Sequence, residues 1–271
     1  MKVLLIIACV IASLSPSWQS QKKSDRELDG LHGAVKRVRI ETTMLDEEGK
    51  PDKEGAYFRR LTNYNSAGNK TEDESIYNFG KSSNGRFVYT YDDKGNRVEE
   101  AKYLNGSVAK TTYTYNDQGQ LIKAVKNGGA FQTDSLYDSE GRLIETKSTS
   151  SSRFVFTYDQ KGQLIKKQRF GGGLDFEEVK TYDAQGRVAS LANGDNLKDN
   201  DYQKVTHTYD NQGNLIEEVG YSNKGKIGTN AYNDEFDSAG NWIKRIALLE
   251  FDRLFGRYKR TEVTYRTITY Y

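Results

Sequence analysis

The sequence predicts an all-β protein, a curved antiparallel β-meander built from repeated hairpins. A motif of an aromatic residue, Asp or Asn, two variable residues and Gly recurs eight times along the 271 residues. In four copies a ring side chain and a Thr alternate directly before the motif aromatic residue, which is the period of a β-strand. A second segment rich in Gly, Asn or Ser separates successive copies. Each copy therefore reads as one hairpin, with a variable turn before the next.

The first 20 residues have the pattern of a secretory signal peptide. Lys2 precedes an apolar run from Val3 to Leu14, and small residues follow it. The run is too short to span a bilayer stably. We predict that residues 1–20 are a signal peptide, that residues 21–271 form a single β domain, and that this domain is secreted or periplasmic with no transmembrane segment.

The single cysteine, Cys9, lies inside the apolar run. Ile6-Ile7-Ala8-Cys9 resembles a bacterial lipoprotein box, which leaves lipidation of Cys9 as an alternative to its removal with the signal peptide. Only eight residues precede Cys9, fewer than an export signal usually has. After cleavage the chain would contain no thiol, which excludes disulfides and thiolate metal sites.

The ends of the β domain have their own signals. Ser24 and Glu27 form a capping-box pattern, which predicts one helical turn. Residues 34–45 read as an opening strand and residues 257–271 as a closing strand. The stretch 243–255 is compatible with a strand or a short helix.

The motif has the chemistry of a hairpin turn. Asp or Asn at the first position of a type I turn accepts backbone N–H bonds, and Gly supplies the left-handed residue of a bulged closure. Successive copies lie 21 to 27 residues apart. The copies are residues 64–68, 91–95, 115–119, 137–141, 158–162, 182–186, 209–213 and 236–240.

The ring two positions before the motif aromatic residue, present in four copies, is the best candidate for ligand binding. We select Tyr89, Tyr113, Phe156 and His207, which occupy this same position in four copies. Ring faces at hairpin spacing stack well on sugar rings or clasp a peptide. The alternative is that these rings pack against one another or against the opposite wall of a closed sheet. Their burial distinguishes the two readings.

A charged residue recurs four positions after the turn glycine. These charges form either a solvated edge or pairs between successive repeats. The series is Glu99, Lys123, Glu145, Lys166, Ser190, Glu217 and Lys244.

The Tyr-Asp-x-x-Gly repeat resembles that of the YD-repeat, or RHS-repeat, family over residues 64–244. The resemblance implies a short bacterial member without a toxin domain. In large members, such as insecticidal toxin-complex components and teneurins, the repeats form a spiralling β-sheet shell. This chain has far fewer repeats and lacks the Pro-rich motif that precedes the toxin domain. The resemblance thus implies a fold and a compartment more than an activity.

The strand count limits the architecture further. Eight hairpins and the flanking strands make about 18 strands, and an open sheet of that width would extend ~80 Å at ~4.8 Å per strand. Open sheets beyond about ten strands tend to curl or split. We therefore predict a half-shell or a barrel-like wrap with a concave aromatic face.

Composition and motifs exclude several functions. The net charge of +2 argues against a nucleic-acid partner. His32 and His207 have no partner at metal-ligand spacing, so we predict no metal, cofactor or catalytic residue. A weak calcium loop at Asp195, Asp199 and Asp201 is a minor alternative.

The sequence thus predicts a non-enzymatic envelope protein that binds a carbohydrate or protein ligand. The main alternative is a purely structural shell fragment or a partner in a larger assembly. Charges on both sides of the strands disfavour an outer-membrane barrel. A glycan-active enzyme is disfavoured because no carboxylate pair stands out.

Overall fold

The computed structural model describes residues 23–51, 55–77, 82–195, 203–253 and 256–271. Within them the chain forms one closed antiparallel β-barrel of 18 strands, preceded by a short helix. Each strand pairs with its neighbours in sequence, and the last strand also pairs with the first. The predicted β-meander is confirmed, and it closes on itself instead of ending as a half-shell.

The elements follow one another without crossovers. Helix α1 covers Asp25–Leu28 and a 3₁₀ turn at Asn127–Gly129 joins the seventh and eighth strands. The strands are β1 Val35–Leu45, β2 Phe58–Tyr64, β3 Lys70–Tyr77, β4 Ser82–Tyr91, β5 Arg97–Leu104, β6 Ser107–Tyr115, β7 Leu121–Lys126, β8 Phe131–Tyr137, β9 Leu143–Ser148, β10 Arg153–Tyr158, β11 Leu164–Phe170, β12 Leu174–Tyr182, β13 Val188–Asp195, β14 Gln203–Tyr209, β15 Leu215–Ser222, β16 Gly225–Phe236, β17 Trp242–Arg253 and β18 Gly256–Tyr270.

The predicted ends of the domain are largely confirmed. The opening strand is β1 and the closing strand is β18, while the ambiguous stretch 243–255 belongs to strand β17 where it is described. The capping box is present, since Ser24 and Glu27 bond to each other's backbone N–H at the start of α1. Residues 1–20, with Cys9, and residues 199 and 201 of the calcium alternative lie outside the described residues.

The eight motif turns lie at one end of the barrel, which we call the motif rim. In the turn after β8, the Asp138 carboxylate accepts the N–H groups of Glu140 at 3.0 Å and Arg142 at 2.9 Å. Gly141 has φ of +81° and donates to the Asp138 carbonyl at 3.0 Å. The strand register shifts beside Tyr137, as a bulged closure requires. The predicted turn chemistry is therefore correct.

The opposite rim carries the variable turns. Asn105 and Gly106 have φ of 49° and 78°, the combination that a type I′ hairpin turn needs. After β1, Asp46 accepts the N–H groups of Glu48 and Lys50 at 3.0 and 2.8 Å, which repeats the motif turn chemistry at this rim. This turn does not match the sequence motif, because Leu45 stands where the other copies have an aromatic residue.

The wall has an inner and an outer face of different character. On the inner face, which we call the lumen face, Tyr89 and Tyr113 are half-buried, whereas the intervening Thr90 and Thr114 are exposed. Carboxylates on the lumen face are also less exposed to solvent than those on the outer face. The Asp234 side chain is 6% exposed, whereas that of Glu235, which faces outward, is 61% exposed. Curvature explains the difference, because the concave side brings side chains from neighbouring strands together.

Residues 23–34, which we call the plug, pack on the lumen side of the motif rim. Asp25 accepts hydrogen bonds from the Tyr91 hydroxyl at 2.6 Å and from the Lys70 N–H at 2.9 Å. The Asn241 side chain holds both the N–H and the carbonyl of His32, at 2.7 and 2.9 Å. The plug thus connects the first repeats to the last turn.

The buried apolar cluster of the described residues lies beneath this plug. It consists of Leu31, Val35, Val38 and Tyr64. A circular barrel of 18 strands would be ~35 Å across at ~4.8 Å strand spacing and ~40° tilt. That width is too large for facing walls to fill with side chains, so most of the lumen face packs only against itself.

Candidate functional site

The motif tyrosines connect each repeat to the one before it. The Tyr137 hydroxyl donates to the Leu121 carbonyl at 2.9 Å, and the Tyr158 hydroxyl donates to the Leu143 carbonyl at 2.8 Å. In every case the acceptor lies two residues after the preceding turn glycine. The same bond is made by Tyr91, Tyr115, Tyr182 and Tyr209. These bonds fix the aromatic face against the wall at the motif rim.

The four predicted ligand-binding residues all face the lumen and all are half-buried. Tyr89 lies on β4, Tyr113 on β6, Phe156 on β10 and His207 on β14. They are neither fully buried against an opposite wall nor turned to the outside. One strand, β5, separates Tyr89 from Tyr113, while Phe156 and His207 lie on more distant strands.

A cavity of about 240 Å³ lies between the plug and the wall. We call it the rim cavity. Tyr113 and Tyr115 form part of its wall, and Asp25 and Leu28 of the plug face them across it. Tyr113 is therefore the predicted site residue that most directly borders an open space.

A larger cavity of about 500 Å³ lies further from the motif rim, on strands β2 to β5. We call it the lumen cavity. Its lining combines Phe58, Tyr77 and Phe87 with the charged pair Arg60 and Asp73. None of these five residues was predicted from the sequence to be a site residue. Only Phe87 belongs to a pattern seen there, the alternation of aromatic residues along β4.

Arg97 lies over the Tyr89 ring and lines the rim cavity together with Tyr113. Its guanidinium lies 4.2 Å from the ring centroid of Tyr89 and 3.3 Å from the Asp25 carboxylate. It also lies 3.8 Å from Glu100, whose strand partner across β5 and β4 is Tyr89. A cation over an aromatic face and a nearby carboxylate offer both stacking and hydrogen bonding to a polar ligand.

The electrostatics of this region keep both tyrosines neutral. Burial raises the pKa of Tyr89 above its usual value, and the carboxylates of Asp73 and Glu100 raise it further. Burial and the Glu100 carboxylate likewise raise the pKa of Tyr113. Both phenols are therefore protonated hydrogen-bond donors at neutral pH.

His207 is placed as one more ring of the lumen face. It stacks on Tyr209 with ring centroids 6.5 Å apart, and its Nε2 lies 3.3 Å from the Glu218 carboxylate. Its Nδ1 is buried without a hydrogen-bond partner. Glu218 also accepts the hydroxyl of Tyr232. The contacts match a wall-filling ring, and no second histidine lies beside it in the described part of the chain.

The charges that follow each turn glycine face outward. Glu99, Glu145, Lys166 and Lys244 pair with residues of the directly adjacent strand. The alternative of pairing between equivalent positions of successive repeats is therefore not what holds these four charges. Outward ion pairs surround the barrel: Glu41 with Arg59 at 3.3 Å, Glu99 with Lys110 at 2.9 Å, Glu145 with Arg153 at 3.3 Å, Lys166 with Glu177 at 3.4 Å, Glu235 with Lys244 at 2.6 Å and Glu250 with Lys259 at 2.5 Å.

The described residues contain neither a cluster of metal-ligating side chains nor a membrane-spanning helix. No group of three or more His, Cys, Asp or Glu side chains is arranged there to hold a metal ion. None of the described helices has the length and apolar character needed to cross a membrane.

Fold and site together define a closed antiparallel β-barrel with an aromatic and charged lumen. A porin-like protein from Bacteroides uniformis ATCC 8492 has a similar fold, with a TM-score of 0.51 and 12% identity over 88% of this chain and 99% of that one. This likeness supports the barrel architecture.

Two toxin structures are also similar over part of their length. The TcdB2-TccC3-Cdc42 crystal structure gives a TM-score of 0.40 at 16% identity, over 76% of this chain and 13% of that one. The Photorhabdus luminescens Tc holotoxin pore gives 0.37 at 13% identity, over 81% and 15%. No protein-family model and no curated protein matches the sequence. Membership of the YD-repeat family therefore stays a prediction.

Proposed function

We propose that this protein is a non-enzymatic, extracytoplasmic β-barrel that binds a carbohydrate along its lumen face. The observation that carries the proposal is the position of Tyr89 and Tyr113. Both rings are half-buried on the concave face, and Arg97, on the intervening strand β5, lies 4.2 Å from the Tyr89 ring centroid. The part of each ring that the wall leaves uncovered is the surface on which a ligand would stack.

The chemistry of the wall suits a sugar. Sugar rings present one apolar face, which stacks on an aromatic ring, and a rim of hydroxyls, which need donors and acceptors. The lumen cavity of about 500 Å³ provides aromatic rings and the Arg60–Asp73 ion pair in one place. A volume of that size suits a small ligand or a short segment of a longer chain.

The predicted signal peptide at residues 1–20 supports a secreted or periplasmic location for this function. Lipidation at Cys9 would tether the same barrel to a membrane without changing its lumen. A protein ligand remains the second class that the aromatic face accommodates, because the variable turns of the opposite rim add polar groups beside it.

A porin-like role, which the similar fold of the Bacteroides uniformis protein suggests, is disfavoured by the outer face. A barrel in lipid needs an apolar band about 25 Å tall. Here outward-facing charged pairs occur on strands around the barrel, and Arg39 and Lys259 are 56% and 61% exposed. Each charge at a bilayer midplane would cost about 2–4 kcal/mol.

The test is binding of the purified protein to a glycan panel and to cell-wall preparations. We expect the wild type to bind and Tyr113→Ala to lose most of the binding, with Phe156→Ala reporting on the more distant wall. Tyr103→Ala is the matched control, because Tyr103 faces outward and is 40% exposed. Binding that survives in Tyr113→Ala and Tyr89→Ala would refute the aromatic site. Absence of any binding would favour the structural alternative.

A further inference from the structure

Arg266, on β18, is a lumen-facing cation without an acidic partner among the described residues. Its Nε atom is buried and makes no hydrogen bond. The guanidinium lies over Trp242, with its central carbon 3.5 Å from the ring centroid. Stacking on an indole orients the guanidinium and leaves its remaining N–H groups available at the ring's edge.

On the strands and turns of the wall, the other lumen-facing arginines with described side chains all have a carboxylate partner, whereas Arg26 of the plug donates to the Val35 carbonyl at 3.5 Å. The pairs are Arg60 with Asp73, Arg97 with Asp25, Arg142 with Asp138, Arg169 with Asp175, Arg187 with Asp183, Arg245 with Asp234 and Arg260 with Glu262. Arg266 therefore departs from a rule that the rest of this wall follows.

The nearest carboxylates are already used. Asp29 pairs with Lys70 at 2.9 Å and accepts the Tyr64 hydroxyl. Asp234 pairs with Arg245 at 2.6 Å, and Arg245 itself lies 4.9 Å from the Trp242 ring centroid. Rearranging either pair to neutralise Arg266 would leave another cation unpaired, so the surplus positive charge belongs to the region.

This charge faces a small cavity of about 110 Å³ between the plug and the wall. Leu31 and Ile40 form its apolar side, and Arg266 supplies the free donors. Arg60, Tyr64 and Asp29 also line the cavity, but Arg60 is paired with Asp73, and the Asp29 carboxylate is held by Lys70 and the Tyr64 hydroxyl. A water molecule takes ~30 Å³ in the liquid, so the cavity accommodates a group of a few heavy atoms.

We propose that this cavity binds a compact oxyanion group, a carboxylate, sulfate or phosphate, through the guanidinium of Arg266. The planar fork of an arginine matches two oxygens of such a group. The apolar side of the cavity strengthens the interaction by excluding water. The site does not involve the Tyr89 and Tyr113 rings and so goes beyond the carbohydrate proposal.

The titration of Arg266 agrees with a missing counter-ion. Burial, followed by repulsion from Arg245, lowers the pKa of Arg266 to about 10. Arg245, which has Asp234 beside it, is shifted in the opposite direction: its pKa is raised despite burial. A bound anion would give Arg266 the negatively charged partner that Asp234 gives Arg245.

The test is a fluorescence titration with sodium sulfate, sodium phosphate and sodium acetate, each against sodium chloride at equal ionic strength. The sequence has two tryptophans, Trp18 and Trp242. A Trp18→Phe background makes Trp242 the reporter, directly under the guanidinium. We expect a saturable change with at least one oxyanion and none with chloride, and the three salts distinguish the possible groups.

Arg266→Gln in the same background should weaken the response at least tenfold. Arg187→Gln is the matched control, because Arg187 also lies over a tyrosine, 4.5 Å from the Tyr209 ring centroid, but has Asp183 as its partner. It should retain the response. Arg266→Lys keeps the positive charge but lacks the planar fork of guanidinium N–H groups. It replaces Arg266→Gln as the test variant if Arg266→Gln does not fold.

Thermal unfolding provides a second measurement, since a ligand that binds only the folded state raises its melting temperature. The active oxyanion should raise the melting temperature of the wild type more than chloride does, and should not do so for Arg266→Gln. Equal responses to oxyanions and chloride, or an unchanged response in Arg266→Gln, would overturn the proposal. Glycan binding by Tyr113 is measured separately, so either proposal can fail alone.

Discussion

The Asp or Asn and the Gly of each motif turn have different structural roles. The Asp carboxylate binds two backbone N–H groups that the turn would otherwise leave unpaired, as Asp138 does for Glu140 and Arg142. The glycine adopts a left-handed conformation that other residues reach only with strain. Together they define where one strand ends and the next begins, which sets the register of the wall.

Gly162 isolates the conformational part of this role. It has φ of +77°, and a Cβ at this position would meet no atom within 4 Å. Gly162→Ala should therefore lower the free energy of unfolding by about 1–2 kcal/mol through left-handed strain alone. Urea unfolding followed by circular dichroism measures this change.

The control is Gly173→Ala, in a variable turn. Gly173 also has open space around its Cβ position, but its φ lies outside the left-handed range. The substitution should be neutral or stabilise by up to about 1 kcal/mol, because alanine restricts the unfolded chain. Equal losses in both variants would show that strain at Gly162 is not the cause.

The plug is the element that gives the barrel its buried apolar cluster. Leu31 is 5% exposed and packs with Val35, Val38 and Tyr64. We expect Leu31→Ala to cost about 2–5 kcal/mol, since it removes buried methyl groups and leaves a cavity. Thermal or urea unfolding measures the loss.

Leu136→Ala is the matched control on the same scaffold. Leu136 lies on β8 with 57% of its surface exposed, so its truncation should change stability by less than about 0.5 kcal/mol. A similar cost for both substitutions would mean that the plug does not contribute a core to the barrel.

The plug should also respond to acid through Asp25. Burial alone would raise the pKa of Asp25, but hydrogen bonds from Tyr91 and Lys70 and the charge of Arg97 bring it below 3.8. A depressed carboxylate pKa stabilises the folded state above the unfolded pKa, and this stabilisation is lost as the pH falls below about 4. We expect the melting temperature of the wild type to fall more between pH 6 and pH 2 than that of Asp25→Asn.

The wild type must be compared with Asp25→Asn because aspartates in the motif turns also have lowered pKa values. Hydrogen bonds within the turns lower the pKa values of Asp138 and Asp210 as well, so part of the acid sensitivity persists in Asp25→Asn. Identical pH profiles for wild type and variant would contradict an anchoring role for the Asp25 carboxylate. Limited proteolysis near Ser24 at low pH provides an independent measure of plug release.

The molecule as a whole separates its surfaces in an unusual way. Aromatic rings and paired charges share the lumen face, while ion pairs and threonines lie on the outside together with separate apolar side chains such as Leu136 and Tyr103. This distribution favours water on the outside. We expect the protein to stay monodisperse without detergent and to bind no detergent above its critical micelle concentration, as measured by light scattering and sedimentation.

Recovery only from detergent extracts, for a protein without lipid at Cys9, would contradict this expectation and revive the outer-membrane alternative. A Cys9→Ser variant separates the two causes, because it removes lipidation and leaves the barrel unchanged. Detergent dependence that persists in Cys9→Ser would then belong to the barrel wall itself.

Most of the fold could be predicted because its signals are local. Asp at the start of each turn and Gly at its end specify hairpins one by one, and the capping box at Ser24 specifies α1 in the same way. Less of the candidate site could be predicted. The alternation that selected Tyr89 and Tyr113 assigns a face, but the cavity at Phe58 and Tyr77 depends on the curvature that brings β2 and β3 beside β4.

What the sequence determined by itself is the repeat: the turns, the strand count and the division of each strand into an aromatic and a polar face. Only the tertiary structure decided that β1 meets β18, that the aromatic face lies inside, and that Arg266 lacks a counter-ion. Hairpin signals act over a few residues, whereas closure and charge balance join residues more than two hundred positions apart, such as Val38 and Ile268. No local pattern encodes such a contact, because it arises only when the accumulated curvature of the whole sheet brings its ends together.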